Sequence, residues 1–143
     1  MMDMKLEILT VPVADVDRAK SFYMAVLGFN CDHDTVISEN MRAVQLTPPG
    51  SACSIAIGIG IGDAPPGSAQ GLTLVVPDIE AMRAELVDRG LQAGEVKDFG
   101  GGIKFVFFRD PDGNGWALQE IAADAHKPDD LDEAKLRELI GDS

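Results

Sequence analysis

The chain has 143 residues, 45% hydrophobic and 25% charged, and its 24 Asp plus Glu against 12 Lys plus Arg leave a formal net charge of −12. That size and balance fit a single soluble globular domain, and the acidity excludes a binder of nucleic acid or anionic membrane, which needs a basic face. No apolar run approaches the roughly 18 residues of a membrane helix, Met1–Glu7 lacks a signal-peptide layout, and Cys31 and Cys53 are too few for a disulfide framework, so a reduced, cytoplasmic setting is expected.

In chain order, Lys5–Val13 is dense in Val, Leu, Ile and Thr and reads as a strand. Asp15 or Asp17 then caps a helix whose Ala19, Phe22, Tyr23, Val26 and Leu27 form one apolar stripe, and Gly28 suits its C′ position. Three strands are expected near Phe29–His33, Met41–Leu46 and Cys53–Ile61, before a linker of turn formers, Gly62-Asp63-Ala64-Pro65-Pro66-Gly67-Ser68. The order then recurs. A strand at Gly71–Val76 meets Asp78 as cap, a helix presents Ile79, Met82 and Leu86 before Gly90, and strands follow near Gln92–Lys97, Ile103–Arg109 and Gly115–Ile121.

The recurrence is visible residue by residue. At an offset of 63, Leu9–Val16 lies over Leu72–Ile79 with four of eight pairs identical, and Pro48-Pro49-Gly50 lies over Pro111-Asp112-Gly113. Two separated landmarks in one register mark an internal repeat. The chain reads as two βαβββ halves, about 5–62 and 68–123, in one α+β domain spanning 1–126. The expected architecture is a largely antiparallel eight-stranded sheet with its helices on one face. Residues 127–143 form a separate extension. There Asp130 and Glu133 resemble a capping box ahead of Leu136, Leu139 and Ile140, so a short helix is expected to dock on the body or on a partner.

Val13–Tyr23 with Val26-Leu27-Gly28-Phe29, and Phe108–Asn114 with Leu118-Gln119-Glu120, resemble the opening and closing signatures of the vicinal oxygen chelate superfamily. That superfamily contains glyoxalase I, bleomycin-resistance proteins, extradiol dioxygenases and methylmalonyl-CoA epimerase. The resemblance covers residues 5 to about 122. It implies paired βαβββ modules curled into a cup, usually completed in a homodimer. In the enzymes, a divalent metal with ligands on the first and last strands of each half acts as a Lewis acid on a chelating substrate. The positions that the resemblance assigns to those ligands are Ile8, Ile57, Gly71 and Glu120. Only Glu120 has a ligating side chain, and about three protein ligands are needed for a catalytic site. No metal and no other cofactor is therefore expected; a divalent metal is the alternative.

The cavity candidates are Glu120, Thr10, Thr73, Trp116, Gln45 and Phe108. If the last strand keeps the family orientation, Trp116, Leu118 and Glu120 face the cup while Ala117 and Gln119 face away. Thr10 and Thr73 lie two residues past the lost ligands and are expected to share their cavity, where Gly71 opens room. Against each stands a plainer role: aromatic core for Trp116 and Phe108, ordinary strand residues for the threonines, a remnant carboxylate for Glu120. Cys31, His33 and His126 lack the partners of a soft-metal site. Gly58-Ile59-Gly60-Ile61-Gly62 lacks the Gly-Lys-Ser/Thr of a phosphate loop and reads as a strand edge or bulge. Gly100-Gly101-Gly102 reads as a loop between strands, with a flap over the cavity as its functional alternative, and Asp110–Asn114 as a structural turn. The expected function is metal-free binding of a small organic molecule. The alternatives are a metal-dependent lyase or dioxygenase using Glu120, and a non-catalytic interaction module.

Overall fold

The computed structural model describes residues 1–122, and the proposed C-terminal helix lies outside them. The chain divides into two compact units, the first spanning Met1–Ser68 and the second beginning at Ala69, at the end of the Pro/Gly linker. In the first unit, β1 (Ile8–Thr10), α1 (Val16–Ser21), β2 (Asn30–Ser38), β3 (Met41–Thr47) and β4 (Ser54–Ile59) follow in order. In the second, β5 (Leu72–Val75), α2 (Ile79–Asp88), β6 (Lys97–Asp98), β7 (Ile103–Arg109) and β8 (Gly115–Ile121) do the same.

Each unit carries one four-stranded mixed sheet, ordered β1-β4-β3-β2 and β5-β8-β7-β6. The two expected βαβββ modules are thus present, each with four hydrogen-bonded strands. One pair in each sheet is parallel, first strand against last, because the helix crossover returns the chain in the same direction. The other pairs are antiparallel.

The helices start where the sequence places their caps. Asp15 accepts from the Arg18 amide at 3.0 Å and Asp78 from the Ala81 amide at 3.1 Å, which gives an otherwise orphaned amide in each first turn a partner. Asp15, not Asp17, is the first cap. Helix α1 then widens into a π turn over Phe22–Val26, with the Leu27 amide donating to the Phe22 carbonyl at 3.2 Å. Ala19, Tyr23 and Leu27, spaced by four, are all buried against the sheet. Ile79 and Leu86 play that part in α2.

Four strands depart from their expected lengths, β2 by running on to Ser38 past its expected end at His33. β1 is only three residues, with residues 1–7 exposed ahead of it, and β4 ends at Ile59. β6 shrinks to Lys97–Asp98, with Ala93 making an isolated bridge to Phe108. Gly58, within β4, and Gly60, just past it, stand where a side chain has no room. A Cβ on Gly58 would lie 2.0 Å from the Arg42 carbonyl oxygen, and one on Gly60 2.4 Å from that of Asn40. The Asp110–Asn114 turn is structural, as its composition suggests. The buried Asp110 carboxylate accepts from the Asp112 and Asn114 amides at 3.0 and 2.9 Å and from the Asn114 side chain at 2.8 Å.

Candidate functional site

Period-two alternation gives each sheet two faces, and the contacts of Glu120 decide which is which in the second unit. Its Oε1 accepts from the Ile79 amide, the first residue of α2, at 2.8 Å. Glu120 therefore lies on the helix-covered face, together with Trp116 and Leu118. Phe108 and Trp116 are register partners whose rings stack in the core, 6.2 Å apart and 9° from parallel, and both are buried. The opposite face carries a cavity of about 380 Å³ lined by Gln70, Gly71, Thr73, Phe105, Phe107, Ala117 and Gln119. The expected orientation of β8 is thus reversed: Ala117 and Gln119 face the cavity, and Trp116, Leu118 and Glu120 face the helix.

Aromatic side chains build the wall of this cavity. Phe105 and Phe107, two apart on β7, hold their rings 5.8 Å apart and 3° from parallel. Phe99 meets Phe105 edge-on at 5.2 Å, and Ile103 and Ala117 complete a buried cluster beneath them. Phe107 is only half-buried, with the Lys97 ammonium 5.4 Å from its ring centre. At the rim Gln70, Thr73 and Gln119 supply polar groups. Gly71 adopts φ +79°, and a Cβ there would touch nothing within 4 Å, so this position does open room. The Thr73 hydroxyl is turned back onto the Gly71 carbonyl at 3.1 Å.

The corresponding face of the first unit is polar. Val44 and Leu46 are buried, while Gln45 and Thr47 alternate to the other side. A bulge in β2 between Cys31 and His33 re-aims Asp32, whose carboxylate reaches across to β3. It accepts from Asn30 Nδ2 at 2.9 Å, from Gln45 Nε2 at 3.1 Å and from the Thr47 hydroxyl. These bonds hold its pKa below the ordinary carboxylate value, Thr47 contributing most and Asn30 next. The buried Ser54 hydroxyl lies 2.6 Å from that of Thr47. Thr10 lines a smaller cavity of about 250 Å³ with Val11–Val13, Gly58 and 61–64.

The cavity candidates are therefore dispersed. Thr73 lines the aromatic cavity, Thr10 the smaller one, and Gln45 belongs to the Asp32 cluster. Trp116 and Phe108 form a core stack, and Glu120 caps α2. The sequence reading missed Phe105 and Phe107 as lining, and Asp32, Thr47 and Ser54 as a set. Part of the signal was available. Val44 and Leu46 read as core, so period two puts Gln45 and Thr47 together on the other face.

A family model described as Glyoxalase/Bleomycin resistance protein/Dioxygenase superfamily matches residues 5–118. The chain belongs to that superfamily. Solved structures agree. TnmS3, an antibiotic binding protein from Streptomyces sp. CB03234, is 32% identical with a TM-score of 0.76, covering 85% of this chain and 99% of that one. A glyoxalase/bleomycin resistance protein from the same organism is 33% identical with a TM-score of 0.70, covering 80% and 98%. A superfamily member from Sphaerobacter thermophilus DSM 20745 is 31% identical with a TM-score of 0.71, covering 84% and 99%. No functionally curated protein matches the chain. No helix among the described residues is long and apolar enough to cross a membrane.

The residues of this superfamily member do not fit the metal that its enzymes use. Ile8 is aliphatic, Gly71 has no side chain, and Ile57 is fully buried. Nor is Ile57 the structural counterpart of Glu120. Thr10 pairs with Ala56 and Thr73 with Ala117, so the last strands correspond at a spacing of 61, which matches Ile57 to the buried Leu118 and Glu120 to Ile59. The strand partners that share a face with Ile8 and Thr73 are Ser54 and Ala117, neither of them a carboxylate. Among the described residues no three His, Cys, Asp or Glu side chains converge.

Proposed function

We propose that this protein binds a small, flat, aromatic organic molecule in the cavity of its second unit, and does so without a metal. The observation that carries the reading is the Phe105–Phe107 pair, two near-parallel rings on the wall of a 380 Å³ cavity with amide and hydroxyl groups at the rim. Ligand sites are typically apolar concavities of about 300–1,000 Å³ with a few polar anchors, and this one falls within that range. A ring stacked on an aromatic face gains about 0.5–1.5 kcal/mol beyond its buried area. The antibiotic-binding neighbour TnmS3 supports an antibiotic as the kind of molecule bound. The absence of ligating side chains at Ile8 and Gly71, and of a carboxylate at their strand partners, supports sequestration over lyase or dioxygenase chemistry.

The test is equilibrium dialysis of the whole protein against a panel of flat polycyclic and non-aromatic antibiotics. Saturable binding of at least one flat aromatic member is expected, with Phe107→Ala weakening it about tenfold, equivalent to about 1.4 kcal/mol. A panel in which only non-aromatic members bind, or a Phe107→Ala protein that binds as tightly as the parent, refutes the reading.

A further inference from the structure

We propose that the Asp32 face of the first unit is a second binding site, for a protonated amine set among hydroxyl donors, the chemistry of an amino sugar. The proposal uses residues of the first unit only and does not depend on the aromatic cavity. Its basis is the direction of the hydrogen bonds. A carboxylate can only accept, so the amide nitrogens of Asn30 and Gln45 must turn toward Asp32, and the Thr47 proton must do the same. With that proton spent, the Ser54 hydroxyl 2.6 Å away has to donate to Thr47. Gln45 Nε2 lies 3.4 Å from the Ser54 oxygen and donates its remaining proton toward it.

Almost every proton of the cluster therefore points inward. The groups left to meet a ligand are oxygens: the two amide carbonyls and Asp32 itself, the buried Ser54 hydroxyl serving only to fix Thr47. The three donors leave the exposed carboxylate with acceptor capacity to spare. Among the described residues no lysine or arginine pairs with it, and its titratable neighbour is His33. A face of acceptors around one negative charge selects a donor-rich cation. An ammonium group makes short charge-assisted bonds to such a carboxylate, flanking hydroxyls can donate to the amide oxygens, and a net charge of −12 draws cations toward the protein.

The experiment follows the side-chain amide signals of Asn30 and Gln45 by nuclear magnetic resonance while glucosamine is added to the whole protein. N-acetylglucosamine, which keeps the hydroxyls but loses the charge, and ammonium chloride, which keeps only the charge, are titrated in parallel at matched ionic strength. Glucosamine is expected to shift both signals saturably, each control to bind at least about tenfold more weakly, and Asp32→Asn to weaken glucosamine by about tenfold or more. Phe107→Ala is expected to leave the glucosamine curve unchanged, so failure of the aromatic cavity and failure of this site are separately visible. Equal shifts from N-acetylglucosamine or ammonium, non-saturating shifts, or an unaltered curve in Asp32→Asn overturn the proposal. The comparison of the three probes on the unmodified protein needs no variant to fold.

Discussion

Replacing Glu120 by Ala separates a structural carboxylate from a ligand-binding one. In the structure Glu120 Oε1 accepts from the Ile79 amide at 2.8 Å, and Ile79 is fully buried as the first residue of α2. Without Glu120 that amide loses its charged acceptor. Losing a hydrogen bond to a charged group costs about 1.5–3 kcal/mol, and N-terminal cap losses cost about 0.5–2 kcal/mol. Part of this is the attraction between a carboxylate and the helix N-terminus, about 0.3–1 kcal/mol. Asp78 still caps the Ala81 amide, so α2 keeps its start and the loss sits toward the lower end, about 1.5 kcal/mol. Glu120→Gln keeps an acceptor oxygen and gives up only the charge, at about 0.5 kcal/mol. Urea unfolding followed by far-UV circular dichroism reads both. With a slope of about 1–3 kcal/mol per molar, Glu120→Ala moves the midpoint down by on the order of 0.5–1.5 M and Glu120→Gln by about a third of that. Binding of an aromatic ligand is expected to stay unchanged in both variants. An Ala variant that unfolds at the parental midpoint but loses its ligand would place the carboxylate in the cavity and refute the assignment of the two faces of β8.

The half-buried Asp34 accepts from Arg42 Nε at 3.0 Å, from Arg42 Nη2 at 2.7 Å and from Lys20 at 2.9 Å, which ties α1 to β2 and β3. These partners, Arg42 first, hold its carboxyl well below the usual range. A pKa depressed on folding adds its full stability above the unfolded value near 4 and loses it only as pH falls through the folded value, so Asp34→Asn is expected to cost about 1 kcal/mol at pH 7 and less than about half of that at pH 2. Urea midpoints at the two pH values check this; an equal deficit at both refutes it. In β4, Gly58→Ala forces a Cβ to 2.0 Å from the Arg42 carbonyl, against backbone that cannot swing aside. A loss of about 2–4 kcal/mol is expected by the same assay, and a wild-type midpoint would mean that the β3–β4 register is wrong.

What the sequence made legible was the part controlled by local chemistry. An Asp before an apolar helical stripe can do little but cap it, and both caps and both stripes appear in the structure. Small glycines at 58 and 60 sit where a side chain would strike a neighbouring carbonyl. Which face of β8 the helix covers was not legible, and the reason is compositional. β7 runs Ile103-Lys104-Phe105-Val106-Phe107-Phe108, apolar on both sides, so alternation could not say which side packs under α2. A sheet apolar on both faces has a second surface to account for, and that excess is itself the trace of the cavity. On β3 the ambiguity vanishes, because Val44 and Leu46 alternate with Gln45 and Thr47. The Asp32 cluster stayed hidden for another reason: it depends on a bulge, and one extra residue in a strand leaves no mark in composition. The 63-residue offset failed at the last strands in the same way. Two residues of slack in the connections are invisible to a repeat anchored on the first strand and on the Pro-Gly turn, yet they move Glu120 away from Ile57. Local rules reached the scaffold; the two surfaces proposed to bind ligands turn on register, which pairing in three dimensions decides.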